Sequence, residues 1–370
     1  MDIWLFGSPT SSEALRALKQ AGVSRVVARG EALAAAQAEG LTSYTVLHAF
    51  PTTDDQEDLA QDVWGRPIEW FGSACPNSAG SRSKFFNSLA AIKSQVAGVF
   101  LDGVRFPSFG SSPSPSAFFS CFCPRCQRDM QAKGYDPRVI QGDVQRLAEI
   151  LLKGPVDQAS CLLKAMVSPS GWFGLTTRFP GLQQWLCYKV DCIDEFTEKA
   201  AQQLAATSTQ LCGFLFQPAL AYFVGQDYYR LSHHLAIISP MIYRNYPTVP
   251  GPATINQELE TMAEFLAKGR ELDRARCLED LISSTGLPFT REGNLLAMAP
   301  EGVVNETLAA KALVADSCRV IPIIWAGDPL LATTLEKLAL AGIDDCILFS
   351  YQAGVDVHSN QLAQIIAERK

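Results

Sequence analysis

Short apolar runs alternate with segments of helical period along the chain. Asp2–Gly7 reads as a strand. Ser11–Gly22 reads as a helix, opened by Thr10 and Glu13 at capping-box spacing and stopped by Gly22. Ser24–Arg29 is a second strand, Glu31–Glu39 an alanine-rich helix, Ser43–Phe50 a third strand and Ser81–Gln95 the next helix. Val96–Asp102 is the fourth strand. Val190–Ala206 reads as a helix leading into a fifth strand, Cys212–Phe216, and Leu235–Tyr243 is the sixth. Val320–Trp325 is the seventh, followed by a helix at Pro329–Gly342; Asp345–Tyr351 is the eighth, and Ser359–Arg369 reads as a closing helix.

The strands are near-continuous apolar runs, as expected of parallel strands buried on both faces. Eight of them, mostly separated by helices, predict an α/β fold of the (β/α)8 TIM-barrel kind, a single domain over residues 1–370. The rival is an open doubly wound sheet, but no G-x-G-x-x-G follows the first strand. Long insertions follow strands four and six, at about 103–210 and 244–317. In a barrel both belong to the C-terminal face, where sites are built. Ser108–Ser116 (SFGSSPSPS) is rich in Ser, Pro and Gly and predicts a mobile flap.

Composition changes this picture little. The 370 residues are 48% hydrophobic and 19% charged, an ordinary globular balance. A net charge of -7 argues against nucleic acid or an anionic membrane as partner. No apolar run approaches the ~20 residues that span a bilayer. The N-terminus lacks the basic and apolar regions of a signal peptide, and eleven scattered cysteines suit reduced thiols, so a cytoplasmic location is expected. There is no phosphate-binding loop and no G-x-S-x-G elbow.

The chemistry centres on VFLDGVRFP, residues 99–107. An apolar strand delivers Asp102 to its C-terminal end, where a barrel carboxylate faces the substrate. Arg105 is placed to pair with Asp102 or to hold a substrate oxygen. Trp70, Phe71, Tyr222, Tyr243, Trp325 and Tyr351 lie at or beyond predicted strand ends, where aromatic faces can pack on the C–H faces of sugars. His48, Asn77 and Gln217 are further candidates for substrate binding. Cys121, Cys123 and Cys126, spaced C-x-C-x2-C, suit zinc or iron–sulfur ligation, with Cys75 a candidate fourth ligand brought in by the fold. Zinc there would be structural, and no cofactor is required. Of the four histidines, none has H-x-x-x-H spacing, which argues against a catalytic zinc.

LDGVRFP resembles the D-G-[IV]-R-[FY]-P segment of glycoside-hydrolase-like barrel proteins, many of them uncharacterised bacterial sequences. WFGSACPN at residues 70–77, followed by Arg82, is similar to their W-x-G-x-x-C-P-N segment. CFCPRC at 121–126 resembles their C-[FY]-C-x-x-C motif. Residues 218–228 and 240–243 are similar to segments after strand five and at strand six. The resemblance spans roughly 70–245 and implies a carbohydrate-active barrel, with a glycoside hydrolase as the leading expectation. Such hydrolysis usually needs two carboxylates. Asp102 is the expected first, and Asp227, Glu301 and Glu69 are the candidate partners. Asp328 is a further candidate, or else the cap of the helix after it. The alternatives are a sugar-binding barrel without catalysis, or another barrel hydrolase or lyase.

Overall fold

The computed structural model describes residues 1–370 other than 8, 93–95, 247–253, 268–270, 293–294, 353–354, 357–365 and 367–370. Eight parallel strands close into a barrel: β1 (Asp2–Phe6), β2 (Val23–Val27), β3 (Thr42–His48), β4 (Gly98–Asp102), β5 (Gln210–Phe216), β6 (Ile237–Met241), β7 (Ile323–Trp325) and β8 (Asp345–Phe349). Each pairs with its neighbour in sequence, and β8 returns to β1 with Asp2 opposite Asp345. A two-residue lead-in, Arg319–Val320, pairs with β6 just before β7.

The barrel closes because its strands carry side chains that fill it. Phe6 stacks on Phe214 at 5.0 Å, Phe214 on Phe100 at 4.4 Å, and Phe6 meets Phe349 edge-on at 5.2 Å. Trp4 and Tyr44 continue the layer below. Gly98 admits this packing, since a Cβ there would lie 2.8 Å from the Tyr44 ring. Truncating a ring such as Phe214 to alanine should cost about 3–5 kcal/mol, because tightly packed neighbours cannot collapse into the void.

Outside the barrel, short polar side chains set helix starts. Ser78 accepts from the Ser81 amide at 2.9 Å and opens Ala79–Ala90. Ser11 opens Ser12–Ala21, so the cap lies one residue beyond the Thr10 expected from the capping-box spacing. Gly22, at φ 120°, ends that helix as predicted.

The two insertions are largely helical. The first holds Pro124–Ala132, Pro137–Lys153, Val156–Val167, Pro169–Arg178 and the long Pro180–Leu204, which begins ten residues before the expected Val190. The second holds Ile255–Ala267, Glu271–Thr285, a hairpin of Phe289–Glu292 with Leu295–Met298, and Pro300–Leu313. The expected flap at Ser108–Ser116 is pinned. Phe109 is buried and stacks on Phe118 at 4.0 Å, and the Ser108 hydroxyl donates to Glu258 at 2.6 Å. The expected closing helix at 359–369 lies outside the described residues, except for Ile366, which is helical and buried. Among the described residues, no helix is long and apolar enough to cross a membrane.

Candidate active site at the mouth of the barrel

Asp102 and His48 are the last residues of β4 and β3, and the register sets them directly opposite each other. Both are half-buried at the C-terminal rim. The chain then turns sharply through Gly103, at φ 69°, where a Cβ would lie 2.8 Å from the His48 ring. Only glycine fits both the backbone and the gap. The turn carries Arg105 back under the rim.

Four predicted residues converge here. The charge of Asp102 acts on His48, Arg105 and Tyr243. Burial holds the His48 imidazole below its ordinary range, and the Asp102 charge only partly offsets that. The His48 Nε2 lies 2.9 Å from the Ser73 hydroxyl. Burial also pushes the Tyr243 phenol well up, with Asp102 and then Tyr246 adding to the effect. Burial pushes the Arg105 guanidinium down to about 10.

Trp70 joins them from the loop after β3. It is buried, its ring stacks on Arg105 at 5.2 Å, and its indole nitrogen has no hydrogen-bond partner among the described residues. Its neighbour Phe71 is the exposed ring, 46% accessible, at 5.4 Å from His48 and 5.5 Å from Arg105. Phe71 holds φ 47°, a left-handed conformation that is costly for a residue with a Cβ and that recurs at ligand-binding sites. Trp325 is buried beside Tyr246, and Tyr246 packs on Tyr243 and Phe349, so this side of the mouth is aromatic and closed. Tyr351 lies on a short antiparallel pair with Val355–Asp356, and its side chain lies outside the described residues.

Of the other predicted residues, all but Glu69 have side-chain partners elsewhere. Gln217 is buried, its amide donating to the Met241 carbonyl and accepting from the Ile255 amide, both at 3.0 Å. Asn77 is occupied beside the cysteines, donating to the Tyr188 hydroxyl at 2.8 Å and accepting from Arg82 at 2.7 Å. Asp227 caps the helix Tyr228–Ser232 through the amides of Tyr229 and Arg230. Glu301 is exposed and pairs with Lys337 at 2.9 Å, and the hydrogen bond from that lysine lowers its pKa. Glu69 is exposed, and its carboxylate has no partner among the described residues. Asp328 is buried in an ion pair with Arg244 at 2.7 Å, and Arg244 also meets Glu292 and the Met298 carbonyl.

Sequence reasoning missed Glu258, an acid whose charge, like that of Asp102, acts on Arg105. It comes from Ile255–Ala267 and is 2% exposed. It accepts from the Ser108 hydroxyl at 2.6 Å and the Gly110 amide at 2.8 Å. Burial outweighs these bonds and the Arg105 charge, and raises its pKa. A signal was present: Ile255, Leu259, Met262, Ala263 and Leu266 form a buried stripe at helical spacing, and position 258 lies on it.

Beside the mouth, Cys75 joins Cys121, Cys123 and Cys126, all buried, with their sulfurs within 4.8 Å of one another. Cys75 lies 3.4 Å from Cys126 and 3.8 Å from Cys123. One tetrahedral ion with metal–sulfur bonds near 2.3 Å would set sulfurs about 3.8 Å apart. The cluster therefore fits a single ion such as zinc. Each sulfur also has an N–H donor: the amides of Gln61, Asn77 and Cys126 serve Cys121, Cys75 and Cys123, and the Asn77 side chain serves Cys126. Cys123 caps Pro124–Ala132, where the helix dipole favours a thiolate. The four thiols join the loop carrying Trp70 and Phe71 to the first insertion.

No protein-family profile and no curated protein matches the chain. Among solved structures it is similar to the β-galactosidase of the psychrophilic Marinomonas ef1, at 12% identity and a TM-score of 0.48, over 100% of this chain and 59% of that one. It is also similar to the cold-adapted β-galactosidase of Rahnella sp. R3, at 13% identity and a TM-score of 0.44, over 98% of this chain and 56% of that one. A third likeness is to the spore cortex-lytic enzyme SleL of Bacillus megaterium QM B1551, at 10% identity and a TM-score of 0.37, over 98% of this chain and 73% of that one. The chain thus spans less than two thirds of the two β-galactosidases.

Proposed function

We propose that this barrel is a glycoside hydrolase acting on an oligo- or polysaccharide, with Asp102 as its central carboxylate. The observation that carries the reading is the rim quartet: Asp102 ends β4 opposite His48, and its charge also reaches Arg105 and Tyr243. Asp102 acts as the acid–base or nucleophilic group. His48, held neutral by burial, hydrogen-bonds the sugar, and Phe71 offers its exposed face. Asp227 and Glu301 would have to leave their present partners to serve as the second acid, Glu69 is exposed, and Glu258 already acts on Arg105. The cysteine cluster holds one structural zinc, which fixes the Trp70–Phe71 loop and takes no part in the reaction.

A second reading, a carbohydrate-binding barrel without catalysis, is favoured by one observation. Asp227 and Glu301 each have a structural partner away from Asp102. One screen separates the two. The protein is incubated with a broad panel of aryl glycosides and polysaccharides, and both release of product and binding are followed. Turnover supports the hydrolase. Binding without turnover overturns it in favour of the second reading, and neither binding nor turnover overturns both.

A further inference from the structure

Arg105 is buried, 3% exposed, yet among the described residues its guanidinium makes a single hydrogen bond, to the Phe106 carbonyl at 3.1 Å. It forms no ion pair with a described carboxylate. Phe216 at 4.7 Å, Trp70 at 5.2 Å and Phe71 at 5.5 Å box the cation and limit its rotation. Asp102 and Glu258 act on it only from a distance. The Glu258 oxygens are occupied by Ser108 and Gly110.

A buried guanidinium without a paired anion is an expensive arrangement for a fold to keep. Its planar fork has N–H donors to spare and matches a carboxylate in bidentate fashion. We propose that Arg105 is the receptor for a carboxylate on the substrate, so that the sugar taken at this mouth is acidic, a uronic acid or its oligomer. This inference rests on the carbohydrate reading above. The aromatic box holds the fork in place before the ligand arrives, which spares ordering cost on binding. Burial raises the Glu258 pKa and its oxygens are already taken by Ser108 and Gly110, so it does not pair with the guanidinium.

The test is calorimetric titration of the whole chain. The probes are glucuronic- and galacturonic-acid oligosaccharides, the methyl esters of the same compounds, matched neutral oligosaccharides, and acetate. The acids should bind at least ~10-fold more tightly than their esters, about 1.4 kcal/mol. Arg105→Lys and Arg105→Met, checked for folding by circular dichroism, should bring acid and ester together. Equal binding of acid and ester by the wild type overturns the inference and leaves the carbohydrate reading standing, with no variant needed. Acetate binding as tightly as the oligosaccharide overturns the sugar as the source of the carboxylate. No binding of any sugar overturns both the inference and the reading beneath it.

Discussion

Asp102 and His48 end adjacent strands in register, so an acid and an imidazole share the rim. Burial lowers the His48 pKa from its ordinary 6.5, and the Asp102 charge raises it, with burial the larger effect. Asp102→Asn should therefore lower the His48 midpoint further. Both midpoints can be read by NMR titration of the ring protons. The stability consequence has a definite sign. Below 6.5 the unfolded chain takes up a proton that folded His48 refuses, so this group's contribution is full above 6.5 and is lost as pH falls toward its folded midpoint.

The cysteine cluster predicts metal content and a stability effect. The purified protein should carry about one zinc per chain by elemental analysis, as expected for a four-thiolate site. Removing it with a strong chelator should lower the melting temperature, and Cys75→Ser should do the same. Protein free of metal, with a melting temperature indifferent to chelator, would contradict the assignment.

Asp328 tests a structural role at a strand end. Removing one member of a buried ion pair leaves the other charge without compensation. Asp328→Ala should cost about 3 kcal/mol in urea unfolding, at the low end of the usual range because Glu292 still meets Arg244. Activity per folded molecule should change little.

Glu258→Gln should loosen the segment after β4. An amide nitrogen cannot accept the hydrogen bonds that Ser108 and Gly110 now donate, and the loss should be about 1–3 kcal/mol. Folded Glu258 keeps its proton above the ordinary 4.5, so its ionisation costs stability as pH rises through the window above that value. The variant should lose that pH dependence, as measured by thermal melts across the window.

The barrel was legible because each of its strands is an apolar run bounded by turn residues. Val96–Asp102 and Asp345–Tyr351 differ from β4 and β8 by only two residues at one end. The helices of the insertions were harder to read, because their faces pack on one another and their pattern has no strand to anchor it. Asp102 could be found from its strand. Glu258 could not be found that way, since its meaning depends on Ser108 and Gly110, about 150 positions away. Asn77 and Gln217 look like polar ligands in the sequence, and only the fold shows the groups that occupy them. Cys75 was legible as a candidate fourth thiol because a C-x-C-x2-C set leaves one position of a tetrahedral site open, and the fold brings its sulfur to the other three.

The central claim is the role of Asp102, and the most direct test is kcat/KM for wild type and Asp102→Asn on whichever glycoside of the panel is turned over. The isosteric amide keeps shape while removing the charge and the proton. The account predicts a loss of about 100-fold or more in a variant that folds as the wild type does, since acid–base participation alone is worth that much. Equal rates in the two proteins would contradict it.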